Sequence, residues 1–431
     1  MKKNILLILG LLIHCTALPQ SSSLLEKYRL QALQYNHDLK AAEKNISASL
    51  ELEKAARSDQ KPEIGAKAHF QYTGNPNELS ATIPTIDQNI YLQGQHTQYG
   101  ATLSLMQPLY TGKRILENIR LARHQQSLAT YEALVIRAAV CYQTDLQYWN
   151  IVARQEMVQV YQDFHQTMRL LVESIQEQVD AGLTDPQDLL MAEVKLNEAQ
   201  YQLLTAQSNY ETGRMAFNSL IGLPLQTPTE VETILPPIVL PDSCLQHLHP
   251  NRPEIEIAHE QIKIAENRLN LNESTYKPQL SIGIDANYSS PGYNFQEGPD
   301  PNYIAYAKLS IPIFEWGKRR HEKQMALAEI GKATDQLNKI TDQIELETRT
   351  AQVALSQAIE AVKLCASSLE KARTNEQKAR ERYHEGENSI LEVIDAQSYY
   401  QTARLNYIKA KITAHYRYAD LLKAFHLYDF I

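Results

Sequence analysis

Two short stretches of the chain alternate strictly between apolar and polar positions. Ile64, Ala66, Ala68, Phe70 and Tyr72 fall on one side of an extended backbone, with Gly65, Lys67, His69 and Gln71 on the other. The pattern returns at Leu280, Ile282, Ile284, Ala286 and Tyr288 against Ser281, Gly283, Asp285 and Asn287. A period of two predicts β-strands, here at about 62–72 and 278–288. Each is followed by a polar loop, Thr73 to about Thr97 and Ser289 to Asn302, and then by a second alternating run. Those runs, Tyr99, Ala101, Leu103, Leu105 and Ala305, Ala307, Leu309, Ile311, Ile313, predict return strands at about 98–108 and 303–314.

Beyond each hairpin the period lengthens. From Lys318 to Glu385 there is no proline and a single glycine, Gly331, and one position recurs every seven residues: Ile330, Leu337, Ile344, Ala351, Ala358, Cys365, Ala372, Ala379. A sustained seven-residue repeat keeps one seam against a partner helix. At ~1.5 Å per residue, about 69 residues of helix span roughly 100 Å, too long for one compact domain. The expected helix, about 318–385, reverses in a turn at 385–388 around Gly386, and a return helix runs over about 389–425. The earlier copy is built alike: a long helix at about 113–181, a turn at 182–185 around Gly182, and a return helix at about 186–222.

The likeness is an internal duplication. Gly112 and Gly182 are 70 residues apart, Gly317 and Gly386 are 69 apart, and after the turns Ala192 and Ala199 align without a gap on Ala396 and Ala403. Upstream, Tyr35 to Tyr72 aligns ungapped on Asn251 to Tyr288, with Pro62 on Pro278. A first repeat over 21–222, opening with a helix from Ser21 to about Ser58, is therefore joined to a second over 251–431. The connector, 223–250, belongs to a stretch from Leu223 to Pro253 that carries seven prolines.

Composition adds the compartment. Met1-Lys2-Lys3 followed by the apolar run Ile5 to Ile13 reads as a secretory signal peptide over 1–20, with cleavage between Ala17 and Ser21. His14 ahead of Cys15 is a poor match to the small residue that lipidation of that cysteine requires. No later run reaches the ~20 apolar residues of a spanning helix. Losing Lys2 and Lys3 takes the formal net charge from −8 to −10, which argues against nucleic acid as a partner. Cys141 and Cys365 lie at different heights along their helices, so a disulfide between them is not expected.

An exported chain with four alternating strands of about ten residues fits outer-membrane β-strands, apolar outward and polar inward with tyrosine near the rim. Four strands cannot close a barrel when the smallest single-chain examples have about eight. Open sheet edges are not tolerated in lipid, so several chains must share the barrel. Two chains would supply eight strands and three would supply twelve, and the strand pattern does not choose. No catalytic chemistry is legible: there is no nucleophile elbow, no HExxH and no P-loop. Cys244, His247 and His249 in the connector are spaced as metal ligands could be, but they form a lone cluster in a proline-rich linker. No enzyme activity, metal or cofactor is expected. The competing class is a secreted coiled-coil scaffold without a conduit.

The segments NRPEIEIAHEQIKIAENR (251–268), YHEGENSILEVIDAQSYYQTARLNY (383–407), DAGLTDPQDLLMAEVKLNEAQ (180–200) and SLIGLP (219–224), in that arrangement, resemble the outer-membrane efflux protein family, the TolC-like channels. The resemblance covers essentially the whole mature chain. It implies a mainly helical fold with a membrane β-barrel contribution: a homotrimer whose twelve-stranded barrel sits in outer-membrane lipid over a helical tunnel reaching into the periplasm. It also implies a passive exit duct that docks a periplasmic adaptor protein and an inner-membrane pump, with Gly182 and Gly386 at the periplasmic tip. One departure is local: the family's Asn-Pro is Asn36-His37 in the first copy, while Arg252-Pro253 holds the proline in the second.

Two sets of site residues follow. Asp185 before Pro186 reads as a helix N-cap, and Asp188 suits the positive end of that helix. The resemblance adds that Asp188 matches a position which in relatives bonds a tyrosine and an arginine of the second hairpin. Tyr383 supplies the tyrosine, but Asn388 stands at the arginine position, so a weaker or differently built tip lock is expected. Glu392 and Asp395 share one helix face. Glu392 also fits a capping box with Ser389, whereas Asp395 has no such duty. Both match the family's acidic constriction at the tunnel entrance.

Overall fold

The computed structural model describes residues 23–83, 88–238, 252–293 and 298–429. The signal-peptide segment with Cys15, and the Cys244, His247, His249 cluster, lie outside the described residues. The chain divides into two compact units, one built from Met1–Glu43, Tyr131–Ile255 and Asn338–Ile431, the other from Lys44–Thr130 and Glu256–Leu337.

The elements in order are α1 (Ser23–Tyr35), α2 (His37–Ser58), β1 (Glu63–Tyr72), β2 (Glu78–Ile83), β3 (Gln88–Gln93), β4 (Thr97–Tyr110), α3 (Arg114–Asp180), α4 (Pro186–Ile221), α5 (Pro253–Thr275), β5 (Gln279–Ser290), β6 (Asp300–Ser310), α6 (Lys318–His384) and α7 (Ile390–Ala424), followed by a 3-10 turn, Leu427–Asp429. α3 and α6 are each 67 residues long.

The Lys44–Thr130 and Glu256–Leu337 unit holds a four-stranded antiparallel sheet in the order β1-β4-β5-β6. Its register places Ile64, Leu105, Ile284 and Ala305 abreast, and beside them Ala66, Leu103, Ala286 and Tyr303. The alternate rows are more polar: Lys67, Thr102, Asn287 and Asn302 stand in line, with the Thr102 hydroxyl donating to Asn287 Oδ1 at 2.8 Å, and Gly65, Ser104 and Asp285 line up beside Ile304. Alternation on each strand thus becomes one apolar and one mainly polar face on the sheet, the second face also carrying Met106, Ile304 and Tyr306. The apolar face is bare: Ile64, Phe70, Leu103, Ile284 and Tyr303 are all exposed. Among the described residues, β1 and β6 are edge strands without a further partner.

Four expectations need correction. The helix expected from Ser21 to Ser58 breaks at Asn36, whose side chain accepts from Leu39 N–H at 2.8 Å and caps α2. That is the capping adjustment the missing proline leaves room for. The polar loop from Thr73 to Thr97 contains a separate hairpin, β2 with β3, whose strand Glu78-Leu79-Ser80-Ala81-Thr82-Ile83 itself alternates. β4 runs on to Tyr110 through an irregularity between Pro108 and Tyr110. β6 starts at Asp300 and stops at Ser310 instead of reaching Phe314, because Pro312 has no N–H to give a ladder.

The other unit is helical. Its largest core joins α1 (Leu25, Tyr28, Ala32), α3 (Tyr148, Ile151, Val152), α4 (Phe217, Ile221), α7 (Ile408) and Leu235 of the connector. Along α6 the heptad positions Ile344, Ala351, Ala358 and Ala379 are buried, and Ile330, Leu337, Cys365 and Ala372 are half-buried. Ala351 packs with Leu421 and Ala424 of α7, and Ala358 with Ala414. Neither Cys141 nor Cys365 is in a disulfide.

The connector is pinned by polar groups. Glu156 accepts from Leu235 N–H at 3.1 Å and from Lys411 Nζ at 2.7 Å, while Lys411 also donates to the Leu235 carbonyl at 3.1 Å. His415 Nε2 lies 2.8 Å from the Pro236 carbonyl, and its ring stacks on Trp149 with centroids 4.0 Å apart.

Candidate functional site

The two hairpin turns are built alike. Gly182 (φ 71°) and Gly386 (φ 76°) end α3 and α6 in the left-handed region that only glycine enters cheaply. At each turn two backbone bonds close the helix: Gly182 N–H to Val179 O (2.9 Å) with Leu183 N–H to Gln178 O (2.8 Å), and Gly386 N–H to Tyr383 O (3.0 Å) with Glu387 N–H to Arg382 O (2.9 Å). This is the Schellman pattern, repeated. α4 then starts on Asp185, whose side chain accepts from Gln187 N–H at 2.8 Å, with Pro186 in the first turn. Ser389 occupies the corresponding cap of α7 but makes no side-chain cap hydrogen bond. The capping box that would occupy Glu392 is therefore incomplete.

The turns share a small core of Ile175 (α3), Ala192 (α4) and Ile390, Val393 and Ile394 (α7), flanked by Tyr383. Over it the Tyr383 hydroxyl donates to Gln178 Oε1 at 3.1 Å, crossing from one hairpin to the other. Burial, with the nearby Asp188 charge adding to it, raises the Tyr383 pKa, so the phenol stays a proton donor. Asp188 accepts the Thr184 hydroxyl at 3.1 Å, within its own hairpin. Asn388 Nδ2 points to the Ala379 carbonyl at 3.5 Å, within the other. Of the three residues expected to lock the tip, Tyr383 carries a cross-hairpin hydrogen bond, to Gln178, whereas the Asp188 and Asn388 bonds just described stay within their own hairpins.

Further polar rungs tie α7 to the first hairpin. Gln401 Nε2 donates to Gln202 Oε1 at 2.9 Å, and Arg404 Nη2 pairs with Asp163 Oδ2 at 2.8 Å. These partners, like Gln178, carry no local sequence signal, since each pair joins residues about two hundred positions or more apart.

On α7 the first turns are two-faced. Ile390, Val393, Ile394, Ala396 and Gln397 are buried, whereas Glu392 and Asp395 are exposed on the other side, with Tyr399 one turn above Asp395. The two carboxylates thus lie on one solvent-facing stripe, held out by a buried apolar face. Among the described residues no cluster of histidine, cysteine and carboxylate side chains has metal-binding geometry, and no helix is long and apolar enough to cross a membrane.

Strands with one bare apolar face, joined twice to a 67-residue helix, a glycine turn and a return helix, define a membrane-strand protein with paired helical hairpins. The chain belongs to the outer membrane efflux protein family, whose model matches residues 29–223 and 244–425. It is similar to the solvent efflux pump outer membrane protein SrpC of Pseudomonas putida, 26% identical over 407 residues that cover 89% of this chain and 82% of that protein. Its fold is similar to the Campylobacter jejuni CmeC outer membrane channel, with a TM-score of 0.76 at 17% identity over 94% of this chain and 85% of that one. Likeness to the outer membrane protein VceC of Vibrio cholerae gives 0.76 at 15% identity, over 93% and 95% of the two chains. The chain is thus an outer-membrane efflux channel component, and the secreted scaffold without a conduit is set aside.

Proposed function

We propose that this chain assembles as a homotrimer into the exit duct of a tripartite pump, in which an inner-membrane pump and a periplasmic adaptor deliver cargo to the hairpin tips. One observation carries the reading. The sheet has four strands, an exposed apolar face and two unpaired edges, β1 and β6. In lipid each unpaired edge group costs several kcal/mol, so the edges must be closed by other copies. Three chains of four strands supply twelve, with β6 of one copy joining β1 of the next. The duct is passive, and its closed end is the pair of hairpin turns around Gly182 and Gly386, with Glu392 and Asp395 as the entrance constriction. SrpC is named for solvent efflux, which supports a pump-coupled role without fixing this chain's cargo.

Size measurement of the detergent-solubilised protein, followed by planar-bilayer recording, tests the reading. A trimer with a low basal conductance is expected. A monodisperse monomer that keeps its strand signal overturns it, because four strands would then be stable unclosed.

A further inference from the structure

The two ends of the sheet differ in charge. From Tyr72 to Gln98 and from Tyr288 to Asn302, the two loop ends, there is no lysine or arginine. The helix end carries a cation beside every strand: Lys61 before β1, Lys113 and Arg114 after β4, Lys277 before β5, and Lys318, Arg319 and Arg320 after β6. Contacts gather them on one rim. Gln107 Nε2 donates to the Gln60 carbonyl at 3.0 Å, a Cβ at Gly112 would stand 2.7 Å from Lys277 Cβ, and Gln279 pairs with Ser310.

Three of these cations contradict their own helix. Lys318, Arg319 and Arg320 occupy the first turn of α6, which contains no acidic residue. A helix N-terminus is the positive pole and favours anions, so cations there cost helix stability. Arg319 is matched by Glu273 at 2.5 Å and Lys318 by Glu322 at 3.7 Å, while Arg320, Lys113 and Arg114 are exposed. Residues that break a local rule point to a role outside the helix. The segment before them supplies the setting. Ile313 is 93% exposed, Phe314 70% and Trp316 89%, with the two rings edge to face at 5.0 Å. Apart from Glu315 between the two rings, aliphatic, then aromatic, then cationic side chains along the chain follow the order of a hydrocarbon layer, its interface and its headgroups.

We propose that this rim is a docking surface for acidic phospholipid headgroups of the membrane leaflet on the helix side of the sheet. Arg320, Lys113 and Arg114 receive the phosphate, and Trp316 anchors at headgroup depth. Charge complementarity and continuity with the apolar face select lipid as the occupant. The proposal rests on the outer-membrane placement of the strands.

The test uses the full chain purified in detergent and exchanged into nanodiscs of phosphatidylethanolamine with one-fifth phosphatidylglycerol. Native mass spectrometry then reads the ratio of the two lipids retained on the protein. The wild type is expected to enrich phosphatidylglycerol, and Lys113→Gln, Arg114→Gln, Lys318→Gln and Arg320→Gln combined are expected to lower that enrichment at least about tenfold. Neutralising four cations farther along α6 (Lys332, Lys339, Arg349 and Lys363, all to Gln) should leave it unchanged. No enrichment in the wild type, wild-type enrichment in the rim variant, or an equal loss in the control each overturns the proposal. If the combined variant does not fold, Arg320→Gln alone and a salt titration of the wild type replace it. Enrichment that neither reduces overturns the proposal, whereas loss in both supports it. Failure of the membrane placement itself would show separately, as a protein that does not float with vesicles of either composition.

Discussion

The Tyr383 hydroxyl donates to Gln178 across the two hairpin turns at 3.1 Å, while Asp188 spends its hydrogen bond on Thr184 in its own turn. A neutral hydrogen bond of this kind contributes about 1 kcal/mol, so its loss shifts a closed-to-open equilibrium roughly fivefold. Tyr383→Phe should therefore raise basal conductance in planar bilayers by about that factor. Asp188→Ala should do less to conductance and more to the first turn of α4, where the charge suits the helix dipole. Wild-type conductance in both single variants and in the double variant would show that these groups do not hold the tip closed.

The fold was legible because the period of two is written in both copies and the glycine-to-glycine helix spacing recurs, with a period of seven along α6. The strand ladders need only alternation, and the long helices need only the absence of proline and the scarcity of glycine, Gly331 being the one glycine within α3 and α6. What stayed hidden has physical reasons. The β2–β3 hairpin is short, six residues a strand, and lies in a segment whose polar and turn-forming residues read first as loop. Pro312 shortens β6, although the apolar alternation continues past it to Ile313. At the tip, Gly182, Gly386 and the Asp185 cap are local signals and could be read directly. Gln178 could not, because a hydrogen bond between residues 205 positions apart leaves no trace in one sequence. The same holds for Glu156, Lys411 and His415, which meet only where α3, α7 and the connector converge.

His415 gives the helical unit a pH dependence. Burial above all, with the Lys411 charge adding and the Pro236 carbonyl opposing, depresses its pKa from 6.5 to about 4. Between those values the unfolded chain binds a proton that the folded chain refuses, so stability falls as pH drops through that window and is fully present above pH 6.5. The loss approaches about 3 kcal/mol by the lower limit. Melting temperatures of wild type and His415→Gln, measured in detergent between pH 7 and pH 4, should diverge, with the shallower slope in the variant. Parallel slopes would mean that His415 is protonated without cost.

Arg29 and Asp145 form a two-pronged buried pair, Nε to Oδ1 at 2.7 Å and Nη2 to Oδ2 at 2.6 Å, and Tyr428 adds its hydroxyl to Oδ2 at 3.0 Å. Burial pushes the Asp145 carboxyl up in spite of the guanidinium beside it, the mark of a pair that would not sit there alone. Arg29→Met should cost about 3–5 kcal/mol, since it strands a buried carboxylate. Arg29→Met with Asp145→Leu should recover most of that loss, because the remaining site is apolar. Chemical denaturation of the three proteins in detergent distinguishes the cases; a double variant no better than the single would place the stability in packing around Arg29 instead.

Glu392 and Asp395 are the residues on which ion selectivity should turn. They stand exposed on one face of α7, opposite the buried Ile390, Val393 and Ile394, and Ser389 does not complete the cap that would have given Glu392 a structural duty. In the proposed trimer the two positions would recur three times around the axis, so six carboxylates would face one another at the entrance. Acidic rings favour cations and hold polyvalent ones tightly. The variant Glu392→Gln with Asp395→Asn should therefore lose cation preference and block by trivalent cations in planar bilayers, while its size in detergent stays that of the wild type. Because both side chains are exposed and leave the tip core untouched, assembly and selectivity separate cleanly in this variant. Wild-type block and ion preference in it would place the constriction elsewhere along the tunnel.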